Sequence, residues 1–93
     1  MTALEQLSSW GTDPDIDVFI SAEIVGGSSS AMRVRGAELL GKIGMVAIHP
    51  TNVLSIETVR GVRFVSIVGN AGSRTYRIVI VPTSFFATDR QAN

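Results

Sequence analysis

The segment from Val62 to Val81 most restricts the folds open to this chain. Two extended runs, Val62 to Val68 and Arg74 to Val81, flank Gly69-Asn70-Ala71-Gly72-Ser73, which has the composition of a hairpin connection. In the second run Ile78 and Ile80 point one way and Val79 and Val81 the other. In the first, Phe64 and Val68 oppose Val65 and Ile67. Strands that are apolar on both faces are covered on both sides. A chain of 93 residues has few helices to offer as cover. Either the sheet closes on itself as a small barrel, or a second subunit covers its outer face.

Other segments read as partners for this hairpin. From Ile16 to Val25, Ile16, Val18, Ile20, Ala22 and Ile24 share one face, and Asp17, Phe19, Ser21, Glu23 and Val25 share the other. Gly26 to Ser30 is a flexible connection, and Ala31 to Arg35 is the returning strand. Met45 to His49 reads as a short strand ended by Pro50, and Val53 to Val59 as another. Residues 37–43 suit one or two helical turns, because Gly41 and Gly44 disfavour a longer helix. Residues 3–10 predict an N-terminal helix. Thr2 is placed as N-cap with Glu5 at capping-box spacing, Leu4, Leu7 and Trp10 follow at three-residue steps, and Gly11 is a natural stop.

The expected fold is therefore mainly β, α+β at most: a small antiparallel sheet or partly closed barrel of about five or six strands with a short N-terminal helix. One domain spans residues 1–93, divided into a helix and acidic arm (1–15), a β-rich body (16–88) and a polar tail (89–93). Its central residues are expected to be Ile20, Ile48, Ile56, Phe64, Ile78 and Ile80.

Composition narrows the function classes. Hydrophobic residues make up 45% and charged residues 17%, too apolar for a disordered chain. No apolar run approaches the roughly 18 residues of a membrane span, and the first residues lack the pattern of a secretion signal. A cytoplasmic or virion location is the expectation, with no membrane partner. Cysteine is absent, so neither a disulfide nor a thiolate ligand can support a core this small. Domains in that position often gain stability by oligomerising.

Charge is zero overall but unevenly placed. Residues 1–30 carry five acids and no Lys or Arg, a net −5, while residues 31–93 carry a net +5. Seven of the eight bases are arginine. The split suggests two surfaces that dock on each other. An N-terminal arm would dock on a neighbour through Leu4, Leu7 and Trp10, with Asp13, Asp15 and Asp17 meeting arginines at the rim. The alternative is that the helix covers its own sheet.

Motifs for catalysis or cofactor binding are weak. Gly36 to Ile43 has the outline of a phosphate-binding loop, but Ile43 stands where the magnesium-binding hydroxyl belongs. Asp13, Asp15 and Asp17 alternate as at the start of a calcium loop, yet Val18 and Ile24 occupy its required Gly and Glu positions. His49, the one histidine, has no companion ligand and no positioned serine. No cofactor, metal or catalytic residue is expected. Arg33, Arg35, Arg60, Arg63, Arg74 and Arg77 offer a possible nucleic-acid contact, but the neutral whole is unlike a free nucleic-acid binder.

These residues favour a non-enzymatic, self-assembling structural or protein-interaction module, such as a component of a virus or phage particle. Its expected partners are copies of itself or another protein of the same assembly. The alternative is a small nucleic-acid-binding or regulatory domain using the arginine-bearing hairpin.

Overall fold

The computed structural model describes residues 1–86, so the tail expected at 89–93 lies outside the described residues. The elements run α1 (Ala3–Gly11), β1 (Asp17–Ile24), β2 (Ser29–Arg35), α2 (Gly36–Ala47), β3 (Val53–Val59), β4 (Val62–Ala71) and β5 (Arg74–Pro82). The strands form one antiparallel sheet in the order β2-β1-β5-β4-β3. The fold is mainly β, as expected, but the sheet is open, with β2 and β3 as its edges.

Local chemistry accounts for most of the elements. Thr2 accepts a hydrogen bond on Oγ1 from the Glu5 amide (3.1 Å), and Glu5 Oε1 accepts one from the Thr2 amide (2.8 Å), which completes the capping box of α1. Arg60 and Gly61 both have positive φ, 52° and 78°, as a type I′ turn between β3 and β4 requires. The β4–β5 connection is tighter than expected. Gly69 and Asn70 pair with Tyr76 and Thr75, so only Gly72 and Ser73 form the turn.

Alternation sorts the strands onto two faces. Val18, Ile20, Val34, Val65, Ile67 and Ile80 are buried on one face, beneath the helices. In that core they meet Ala3, Leu7 and Trp10 of α1 and Leu39, Ile43 and Ala47 of α2. Both helices lie on this side of the sheet, α1 against α2 and toward β3 and β4, α2 toward β1 and β2.

Three expectations are corrected. Residues 45–49 are not a strand, since α2 continues through Gly41 and Gly44 to Ala47. Gly36, Leu39, Ile43 and Ala47 recur at helical spacing, and burial of that stripe outweighs the glycine penalty. Ile48 caps the helix and is 68% exposed instead of central. Phe64 also leaves the core, because it sits on the opposite face from Val65 and Ile67 and is half-buried there. Ile56 and Ile78 are half-buried beside the core, while Ile20 and Ile80 are fully within it.

Candidate interaction face

With α1 and α2 on one side, the second face of the sheet carries, among the described residues, only the short helical turn at residues 84–86, whose Phe86 rests on Phe19. Register places its residues in rows across the strands. One row reads Arg33, Phe19, Val81, Phe64, Glu57 from β2 to β3, with Val81 and Phe64 one step past the last β4–β5 pair, Ile80 with Val65, and the next reads Ala31, Ser21, Val79, Ser66, Ser55. The first row is apolar in the middle and charged at its ends, and the second is uncharged throughout. Phe19, Ser21, Ala31, Val79, Val81 and Phe86 line an open depression of about 470 Å³. Phe86 meets Phe19 edge-on at 5.1 Å between ring centres, and Phe85 meets Phe86 at 5.5 Å. These rings form a ledge at one end of the face.

The expected contact residues of α1 divide. Leu7 and Trp10, 1% and 5% exposed, belong to the core of their own chain. The helix covers its own sheet, and the arm expected to reach a neighbour is not the arrangement found. A single chain's sequence reports that α1 must bury Leu7 and Trp10 but not against which copy. Leu4 is on the outer side of α1 and exposed. Asp13 Oδ1 accepts a hydrogen bond from the Asp15 amide (2.9 Å), a local turn of an exposed loop. Asp17 pairs with Arg33 of its own chain at 2.9 Å.

The six arginines are not gathered into one surface. Arg33, Arg35 and Arg77 are on the uncovered face, where Asp17, Glu23 and Glu57 match them in number. Arg63 is on the helix side, with Nη1 3.3 Å from Met1 Sδ. Arg60 lies over the Phe85 ring at 4.4 Å, while Arg74 is at the β4–β5 turn, at the other end of β4. This dispersal lacks the basic stripe that tracks a nucleic-acid backbone.

His49 is exposed after α2, with Nδ1 2.8 Å from Thr51 Oγ1 and 3.3 Å from the Thr51 amide, in a local turn. No three of His, Asp and Glu converge as metal ligands among the described residues. No helix among them is long and apolar enough to cross a membrane. No protein-family model, curated protein or solved structure matches the chain.

The sequence signal that best located this face was the two-sided apolar hairpin. Phe64, Val79 and Val81 stood in it from the start, but as members of a strand whose outer cover was undetermined. Nothing in the local pattern showed that both helices would choose the same side.

Proposed function

We propose that this chain is a non-enzymatic, self-assembling structural module that works through the uncovered face of its sheet. The observation that carries the reading is the fate of the β4–β5 hairpin. One side is packed under α1 and α2, while on the other, among the described residues, Phe64, Val79 and Val81 lie outside both helices and only the turn at residues 84–86 adds a ring, Phe86, beside Val79 and Val81. Contiguous apolar surface rimmed by charge marks a protein contact. A particle shell, such as that of a virus or phage, is a setting that suits a subunit of this kind.

Light scattering over a range of protein concentrations tests the proposal. The chain should self-associate, and Val79→Lys should shift it toward the monomer while leaving the melting temperature near its original value. Association that is indifferent to Val79→Lys would overturn the choice of face. A chain that stays monomeric at all concentrations would overturn self-assembly itself.

A further inference from the structure

We infer that the uncovered face receives a second copy of this chain, related by a twofold axis that runs parallel to the strands and passes over β5. The inference rests on the self-assembly reading above and adds the partner's geometry. It comes from the row Arg33–Phe19–Val81–Phe64–Glu57. The row carries a base at the β2 edge, three apolar residues in the middle and an acid at the β3 edge. Reversed end for end, it complements itself. A twofold axis parallel to the strands performs that reversal. It sets Arg33 opposite Glu57 of the second copy, Phe19 opposite Phe64, and Val81 near its own mate.

The next row agrees. Ala31 and Ser21 come to face Ser55 and Ser66 of the second copy, with Val79 near the axis. Small residues there leave the depression beside Phe86, which a second sheet at the usual spacing of about 10 Å would close over. A twofold axis perpendicular to the strands, crossing this same row, is poorer. It would put Arg33 opposite Ser29 and Glu57 opposite Val53, so neither rim charge would meet an opposite one.

Size is adequate. Five strands about 4.8 Å apart, each about seven residues of 3.4 Å long, span roughly 24 by 24 Å. Two such faces together bury on the order of 1,100 Å², at the lower end for a specific contact. The arrangement has one like-charged pair, and it sets Glu23 opposite Val68 of the second copy. Arg77 lies on β5 and so meets its mate near the axis, with Glu23 opposite it on β1 of its own copy.

Charge exchange tests this geometry, read as the dimer dissociation constant from sedimentation equilibrium. Arg33→Glu and Glu57→Arg should each weaken the dimer about 10-fold, since each turns two attractive rim contacts into repulsive ones. The two changes together should restore it to near the original value. Arg33→Glu also breaks the pairing with Asp17 in its own chain, but that loss persists in the double variant and cannot explain a rescue. Melting curves confirm that each variant is folded. As a second measurement, Arg77→Ser should tighten the dimer several-fold by relieving the like pair at the axis. Without rescue in the double variant, this axis is wrong. If Val79→Lys still disperses the assembly in that case, the face remains the contact and only its geometry falls. A chain that is monomeric throughout removes both.

Discussion

The backbone of Gly36 lies so close to the carbonyl oxygen of Trp10 that no Cβ fits between them. A Cβ built on Gly36 would collide with that oxygen and come within 2.6 Å of Ile16 Cγ2. The Gly36 amide meanwhile donates to the Ile16 carbonyl at 2.8 Å. Glycine at this position is what lets α1 seat against the start of α2. Gly36→Ala should therefore destabilise the fold by about 1–3 kcal/mol through overpacking. Urea unfolding would measure it, and a loss below about 0.5 kcal/mol, the range of ordinary surface changes, would contradict the seating described.

Gly41 and Gly44 behave in the opposite way. Both are inside α2, neither has positive φ, and a Cβ on either would meet nothing within 4 Å. Nothing in the packing requires them. Gly41→Ala should stabilise the protein by about 0.5–1 kcal/mol, because the unfolded chain loses freedom and the helix gains a better former. Thermal unfolding reads this as a rise in Tm, and an unchanged or lower Tm would count against the helix.

Asn52 ties the end of α2 to the sheet. Its Nδ2 donates to the Val46 carbonyl at 2.8 Å and to Tyr76 Oη at 3.0 Å. Gly69, paired with Tyr76 across β4 and β5, leaves the room, since a Cβ there would sit 2.6 Å from Tyr76 Oη. Tyr76→Phe should cost about 0.5–1.5 kcal/mol, the net value of one hydrogen bond. Gly69→Ala should cost more, because it displaces both partners. Chemical denaturation of the two variants checks their order.

Acid should weaken the start of α1. Hydrogen bonds from Thr2, its backbone amide first, hold the Glu5 carboxyl below its ordinary value of 4.5. The folded state thus binds this proton less readily than the unfolded one. The contribution is fully present above pH 4.5 and fades as pH falls through the lowered folded value. The difference in Tm between the parent and Glu5→Ala should be constant from neutral pH down to 4.5 and shrink below it. A difference that persists unchanged in stronger acid would separate the cap from the carboxylate's charge.

What the sequence disclosed followed from how local each signal was. The alternation from Ile16 to Val25 fixed both faces of β1, because strand side chains repeat every second residue whatever lies above them. The capping box of α1 was equally legible, being complete within Thr2 to Glu5. Helix α2 was hidden by Gly41 and Gly44, whose cost is local while the gain from burying Leu39 and Ile43 is tertiary. Ile48 was misplaced with it. The uncovered face was half-legible: Val79 and Val81 announced a need for cover, but the side chosen by the helices depends on contacts between distant segments.

The pairing of β1 with β5 also shapes how the molecule comes together in time. Tight turns can close the β1–β2 hairpin and the β3–β4–β5 meander early and separately, while the ladder joining Ile20 to Ile80 bridges most of the chain. Closing so long a loop comes at an entropic cost that no local contact offsets. Docking of the hairpin onto the meander should therefore be the slow event of folding. During synthesis β1 waits with one edge bare until the ribosome has delivered β5, and in that interval the most apolar strands of the protein are the ones exposed to mispairing.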